Sequence, residues 1–123
     1  MKIVLFGATG MVGRGALLEC LRDPSVDSVL SVVRRPSAEA HCKLREIVQQ
    51  DFLDFSAIEN EFRGADACIW ALGVTSVGSS EGDYTRITHD FALAAAHSLL
   101  RASPRLRFVF VSGRGADAQG SAM

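Results

Sequence analysis

The chain lacks the long apolar segments and paired cysteines that mark membrane, secreted and zinc-binding proteins. None of its apolar runs approaches the roughly 20 residues that cross a bilayer, so we expect no membrane partner. Lys2 leads at once into a short apolar stretch and a glycine loop, without the apolar core or cleavage site of a signal peptide. The cysteines, Cys20, Cys42 and Cys68, are far apart and form no C-x-x-C pair. We therefore expect a cytoplasmic protein with reduced thiols, no disulfide framework and no bound metal.

The chain also has no excess of charge of one sign. Lysine and arginine number 13, aspartate and glutamate number 14, and the formal net charge is -1. No strong electrostatic field results, so the sequence predicts no binding to nucleic acid or to anionic membranes. The 123 residues are 48% hydrophobic and 22% charged, which is typical of a globular protein of one domain. We predict one domain over residues 1–123, in which residues 112–123, rich in glycine, alanine and serine, form a flexible tail.

Short apolar stretches alternate with helical periodicities along the chain. An apolar run that ends at a glycine, such as residues 3–6, favours a strand buried on both faces, as in a parallel sheet. The predicted strands cover residues 2–6, 28–33, 46–50, 67–70 and 107–111, and the predicted helices cover 11–22, 56–62 (with Ser56 as N-cap) and 83–102. This alternation predicts an α/β fold with a doubly wound parallel sheet in the order 3-2-1-4-5 and helices on both faces. Ligands would bind at the carboxyl ends of strands 1 and 4, where the winding reverses.

The loop after the first predicted strand reads Gly7-Ala8-Thr9-Gly10-Met11-Val12-Gly13 and opens an amphipathic helix. This context favours a dinucleotide site, because a helix N-terminus supplies backbone N–H groups and a favourable dipole to a pyrophosphate. Gly7 would let the chain turn off the strand, Gly10 would let the phosphates approach, and Gly13 would let the helix pack on the sheet. Thr9 is placed to cap the helix. The alternative is that the glycines serve tight packing alone.

The end of the second predicted strand indicates which dinucleotide binds. An NAD site usually has an acidic residue there, which accepts from the ribose hydroxyls. This strand instead ends at Arg34 and Arg35, and a guanidinium pairs with a 2′-phosphate. The sequence therefore favours NADP, with NAD as the alternative cofactor. A solvated strand end is the competing interpretation of the two arginines.

Two further segments are placed to line the cofactor. Asp51, just past the third strand, would meet the adenine amino group, and Phe52 would pack nearby; a surface carboxylate in a turn is the alternative for Asp51. Ala71, Leu72 and Gly73 follow the fourth strand, where the backbone would pass the ribose and nicotinamide.

Together the glycine loop, Arg34-Arg35-Pro36, Asp51-Phe52 and the segment 108–112 resemble the atypical short-chain dehydrogenase/reductases. Within them, the NAD-dependent epimerase/dehydratase and NmrA-like branch is the most similar, and the resemblance implies a Rossmann domain. It also implies that Ser112 orients a substrate carbonyl, while a Tyr-x-x-x-Lys pair transfers the proton. No such pair occurs here, since Tyr84 is the only tyrosine and Lys2 and Lys43 are the only lysines. The resemblance is thus to the N-terminal, cofactor-binding part of the family.

Three functions remain open from the sequence. The first is an NAD(P)-dependent oxidoreductase that transfers hydride to or from a small carbonyl or alcohol substrate. The second is a non-catalytic NADP-binding module that senses redox state, and the third is an inactive truncated fragment. In the resembling family further elements cover the fifth strand, so its apolar edge here would be hidden by a partner, by a second copy in a homo-oligomer, or by residues absent from this sequence.

Overall fold

A computed structural model describes residues 1–37, 40–72 and 81–111, and of residues 81–89 it describes the backbone only. The strands are β1 (Lys2–Phe6), β2 (Ser28–Val33), β3 (Leu44–Val48), β4 (Ala67–Trp70) and β5 (Arg107–Phe110). The helices are α1 (Met11–Arg22), α2 (Glu81–Ala102) and a short 3₁₀ helix (Ser56–Phe62). All strand pairs are parallel, and the order is β3-β2-β1-β4-β5, as the sequence predicts.

The central strand β1 divides the core into two layers. Val4, Leu5 and Phe6 are completely buried, because β1 pairs with β2 on one side and β4 on the other. Side chains alternate along a strand, so Ile3 and Leu5 join Leu17 of α1 in one cluster, while Val4 and Phe6 face the other. That second cluster includes Leu99 of α2. Helices therefore cover both faces of the sheet, which is the doubly wound arrangement.

Aromatic side chains join the carboxyl end of β1 to the segment after β3. The ring of Phe6 lies 5.7 Å from that of Phe55 and 6.1 Å from that of Phe52, both nearly perpendicular to it. On the β4 side, the Phe6 and Trp70 rings are 4.6 Å apart. Each such pair contributes about 0.5–1.5 kcal/mol beyond the burial of its area. The segment after β3 is therefore held against the end of the sheet where a ligand is expected.

The outer strands differ slightly from their predicted bounds. β3 begins at Leu44 and ends at Val48, so the predicted range 46–50 is wrong by two residues at each end. Its pattern is weak because an outer strand is partly open to water and tolerates exposed Arg45 between half-buried neighbours. β5 ends one residue earlier than predicted, at Phe110, which is 45% exposed on the outer strand of the sheet.

Helix ends also differ from the sequence-based bounds. α2 begins at Glu81 rather than at residue 83. Ser56 does not cap the 3₁₀ helix: the N-cap is Phe55, and the Ser56 amide donates to Asp54 Oδ1 at 2.9 Å. An aspartate before a turn accepts such amides readily, and here it replaces the predicted cap. In residues 1–37, 40–72 and 81–111, no helix combines the length and apolarity needed to cross a membrane. The predicted tail, residues 112–123, lies outside the described residues.

Candidate functional site

Gly7 makes the turn between β1 and the glycine loop. Its φ is +91°, a left-handed conformation that side chains disfavour. A Cβ at this position would lie 2.7 Å from the carbonyl carbon of Ala71 and 2.8 Å from the nitrogen of Leu72. The Ala71 amide itself donates to the Phe6 carbonyl at 2.9 Å. The loop after β1 and the segment after β4 are thus in direct backbone contact, and glycine is required there.

Gly13 brings α1 against the same loop. A Cβ on Gly13 would overlap the carbonyl oxygen of Gly7 and would lie 3.1 Å from the nitrogen of Ala8. Gly13 is buried, and its backbone occupies the place next to Gly7 where any other residue would need room for a side chain. This is the close approach of α1 that the glycine spacing predicts.

The N-terminus of α1 is open to solvent and has no side-chain cap. Gly10 is the N-cap in an extended conformation, so the predicted capping role of Thr9 is wrong. The Gly10 amide donates to the Gly7 carbonyl at 3.0 Å, which folds the loop back and places the cap one residue later than Thr9. The first bond within the helix runs from Arg14 N to Gly10 O at 2.8 Å.

The first-turn amides of α1 are suited to an anion. Met11, Val12 and Gly13 precede the first intrahelical bond, so their N–H groups have no partner within the helix. Met11 is 81% exposed, Val12 is exposed, and no acidic residue stands in this first turn. With the positive end of the helix dipole, this arrangement fits the pyrophosphate of a dinucleotide.

Arg34 lies at the carboxyl end of β2 in a corner between two aromatic rings. Its guanidinium carbon is 5.1 Å from the centre of the Phe52 ring and 5.5 Å from that of Phe91 on α2. The two rings are 5.7 Å apart in an edge-to-face arrangement. Arg34 and Arg35 are both exposed, and the Arg34 carbonyl accepts from Gln50 Nε2 at 2.7 Å. The side chain of Arg34 is therefore held by packing while it remains open to a ligand.

Phe52 packs beneath Arg34 in the core. Its ring is only 3% exposed, and it belongs to the cluster that includes Phe6. Its packing near a bound adenine stays a prediction. Phe91 was not predicted to belong to the site at all. It occupies an ordinary apolar position of α2, and no local motif connects it with Arg34.

Asp51 is exposed in the turn that follows β3. Its Oδ1 accepts from the Leu53 amide at 2.9 Å, so the turn that the alternative interpretation describes is present. The buried side-chain amide of Gln49 stabilises this turn. Its Nε2 donates to the carbonyls of Asp51 at 2.8 Å and Asp54 at 2.7 Å. The contact of Asp51 with adenine stays a prediction.

The segment after β4 completes the described part of the edge. Ala71 is buried against Gly7, and Leu72 is half-buried. Gly73 and Ser112, predicted to meet the nicotinamide and the substrate, lie outside the described residues.

The two lysines, the residue type that a Tyr-x-x-x-Lys relay needs, lie at the opposite, amino edge of the sheet. Lys2 Nζ donates to the carbonyls of Glu61 at 2.6 Å and Arg63 at 2.9 Å, and Lys43 Nζ donates to the Asp23 carbonyl at 3.2 Å. Both lysines stand at the beginnings of strands, far from the carboxyl ends. In the described part of the chain, no group of three or more His, Cys, Asp or Glu side chains is arranged to hold a metal ion.

A parallel 3-2-1-4-5 sheet with a glycine loop between its central strand and the first helix defines a dinucleotide-binding Rossmann domain. A family model described as NAD(P)H-binding matches residues 7–122, and the chain belongs to that family.

Among curated proteins, leucinostatins biosynthesis cluster protein T of Purpureocillium lilacinum is 31% identical over 118 residues, which are 94% of this chain and 44% of that protein. The mitochondrial protein FMP52 of Meyerozyma guilliermondii is 30% identical over 123 residues, covering 95% of this chain and 50% of the relative. The chain therefore spans about half the length of the curated relatives it matches.

Among solved structures, uronate dehydrogenase from Agrobacterium tumefaciens superposes with a TM-score of 0.68 at 22% identity, over 90% of this chain and 40% of that one. A likeness at this identity shows the fold. A short-chain dehydrogenase/reductase superfamily protein from Agrobacterium tumefaciens, solved with bound NAD, is 27% identical with a TM-score of 0.58. The superposition covers 89% of this chain and 32% of that protein. A putative epimerase from Bacteroides thetaiotaomicron is 28% identical with a TM-score of 0.66, over 89% of this chain and 45% of that one. The fold is thus the NAD(P)-binding Rossmann fold that epimerases and short-chain dehydrogenases share.

Proposed function

We propose that this chain is the cofactor-binding part of an NADP-dependent oxidoreductase. In this proposal the first-turn amides of α1 hold the pyrophosphate, and Arg34 and Arg35 hold the 2′-phosphate of the adenosine ribose. The bound nicotinamide would supply or accept hydride for a small carbonyl or alcohol substrate. The observation that carries the proposal is the packing of the Arg34 guanidinium at the carboxyl end of β2, open to solvent, where a Rossmann domain receives the adenosine.

Charge at this strand end supports NADP over NAD. A carboxylate there would accept from two ribose hydroxyls but would repel a 2′-phosphate, whereas a guanidinium attracts the phosphate and cannot accept a hydrogen bond. The four residues that follow β2 are Arg34, Arg35, Pro36 and Ser37, and none of them is acidic. NAD is the competing cofactor, since a structurally similar protein of the short-chain dehydrogenase/reductase superfamily was solved with NAD bound.

A second candidate is a module that binds NADP without turnover and reports the redox state. It is favoured by the location of the two lysines: Lys2 and Lys43 both donate to backbone carbonyls at the amino edge of the sheet. The sequence has no Tyr-x-x-x-Lys pair, so a proton donor for carbonyl reduction would come from residues other than that pair.

Cofactor titration of the purified chain, followed by fluorescence, tests the proposal. NADPH should bind more tightly than NADH, and Arg34→Asp should weaken NADPH binding roughly 10- to 100-fold by removing charge-assisted hydrogen bonds. Arg22→Asp, an exposed charge reversal in the last turn of α1, is the matched control and should leave both affinities unchanged.

Each outcome bears on a different claim. Absence of binding for both cofactors would overturn dinucleotide binding by this chain. Equal binding of NADPH and NADH, unaffected by Arg34→Asp, would overturn the NADP assignment alone. Turnover of a panel of aldehydes and ketones by this chain would overturn the sensing module.

A further inference from the structure

We propose that Phe91 on α2 is a positioning residue for cofactor selectivity, which holds the Arg34 guanidinium in the orientation that receives a 2′-phosphate. The proposal rests on the proposed function, in which Arg34 binds NADP. It adds a residue that lies far from the glycine loop in sequence and outside the strand ends that usually carry such specificity. Phe91 would act through Arg34 and need not touch the cofactor.

The contact geometry supports this role. The Arg34 guanidinium carbon lies within 5.5 Å of both ring centres, which is inside the range of a cation–π interaction. Phe52 forms a rigid floor, since its buried ring also contacts Phe55 at 5.4 Å and Phe6 at 6.1 Å. Phe91 is half-buried and forms the second wall of the corner. Phe52 thus belongs to the core, whereas Phe91 is supplied by the separate helix α2.

Contact with aromatic rings and phosphate binding make different demands on a guanidinium. A cation–π contact depends on the charge of the group and needs none of its five N–H donors as a hydrogen bond. Arg34 can therefore keep its contacts with the two rings and still donate to an anion. An arginine in solvent samples many rotamers, and a ligand that binds it must order the side chain. Packing in the Phe52–Phe91 corner orders it beforehand, which strengthens binding without a new contact to the ligand.

This arrangement predicts a selective effect. Phe91→Leu removes one aromatic wall, leaves the charge of Arg34 in place and should weaken NADPH binding about three- to fivefold. NADH has no 2′-phosphate, so its affinity should remain unchanged. General damage to the fold would weaken both cofactors alike, and the NADPH-to-NADH affinity ratio distinguishes the two effects.

The experiment measures dissociation constants of NADPH and NADH for the full chain and its variants by fluorescence titration. Phe91→Tyr keeps an aromatic face and should retain the ratio of the unmodified chain. Leu93→Ala, at a position that is 44% exposed on the same helix, is the control and should also retain it. Thermal unfolding monitors whether the variants fold. If Phe91→Leu folds poorly, Phe91→Met serves as a second variant without a ring.

A double-mutant cycle separates this proposal from the function on which it rests. With Arg34→Ala in place, Phe91→Leu should have no further effect on the ratio, because the group it positions is gone. If Arg34→Ala removes the NADPH preference but Phe91→Leu and Phe91→Met leave it intact, the positioning role is overturned and the NADP assignment stands. If Arg34→Ala also leaves the ratio unchanged, the NADP assignment is overturned and the role of Phe91 with it.

Discussion

The α-carbon of Gly13 lies against the backbone carbonyl of Gly7, so closely that a Cβ on Gly13 would overlap that oxygen. The first helix and the turn after the central strand are therefore joined backbone to backbone. This contact sets the position of the α1 N-terminus at the carboxyl edge of the sheet. It also means that the proposed pyrophosphate site and the packing of α1 depend on the same glycine.

Gly13→Ala should lower the free energy of unfolding by about 1–3 kcal/mol, because the backbone must shift to admit the methyl group. Urea denaturation measures the change. Gly15→Ala is the matched control on the same helix, since a Cβ there has nothing within 4 Å. It should raise the free energy of unfolding by about 0.5–1 kcal/mol through better helix propensity. Changes of the same sign in both variants would contradict the close contact at Gly13.

A comparison of Gly7 with Gly64 distinguishes the cost of backbone strain from the cost of steric overlap. Both have positive φ, +91° and +77°, but a Cβ at Gly64 meets nothing within 4 Å, whereas one at Gly7 approaches Ala71. Gly64→Ala should cost about 1–2 kcal/mol from the left-handed conformation alone. Gly7→Ala should cost more, by about 1–3 kcal/mol, because the Ala71 backbone must also move. Chemical denaturation of the two variants side by side measures the difference. Equal losses of unfolding free energy would show that the segment after β4 moves without cost.

The cysteines should differ sharply in reactivity. Cys68 is completely buried in β4, and burial raises the pKa of its thiol well above the ordinary value. Burial, followed by the charges of Asp23 and Glu19, also raises the pKa of the half-buried Cys20 thiol. Cys42 is exposed.

Because the thiolate is the reactive form, iodoacetamide should label Cys42 first, Cys20 more slowly and Cys68 only on unfolding. Mass spectrometry of peptides after timed labelling measures the order, with urea-unfolded protein as the control in which all three react. Prompt labelling of Cys68 in the native chain would contradict its place in the sheet.

Glu59 connects the 3₁₀ helix to α2 in a pH-dependent way. Arg101 Nη2 and the buried Ser98 hydroxyl donate to Glu59 Oε1 at 2.9 and 2.7 Å. The hydrogen bond from Arg101, and then that from Ser98, lowers the pKa of Glu59 below its ordinary value of 4.5. A lowered pKa means that this contribution to stability is complete above 4.5 and is lost as the pH falls through the lower folded-state value.

Glu59→Gln should therefore destabilise the chain most near neutral pH, and the difference from the unmodified chain should shrink on acidification. Urea denaturation over a pH series measures this difference. Glu19→Gln, an exposed residue 3.7 Å from Arg22, is the control and should show little effect at any pH. A difference for Glu59→Gln that grows as the pH falls would contradict the assigned sign.

The inner strands could be predicted to the residue, and the outer strands could not. Residues 2–6, 28–33 and 67–70 match the observed β1, β2 and β4, and residues 11–22 and 56–62 match α1 and the 3₁₀ helix. A strand enclosed by two neighbours must be apolar throughout, and a turn at positive φ requires glycine, so both leave strong local signals. β3 and β5 lie at the edges of the sheet, where exposed positions such as Arg45 and Phe110 weaken the pattern.

The candidate site divides in the same way. The sequence by itself determined the glycine loop and the arginines after β2, because each depends on residue types in a short stretch. It also predicted the order of the strands, through the alternation of strands and helices along the chain. Only the tertiary structure decided that Gly7 contacts Ala71, that Phe52 lies in the core and that Phe91 packs on Arg34. These partners are distant along the chain, and their approach results from how the sheet and α2 pack, which no local pattern encodes.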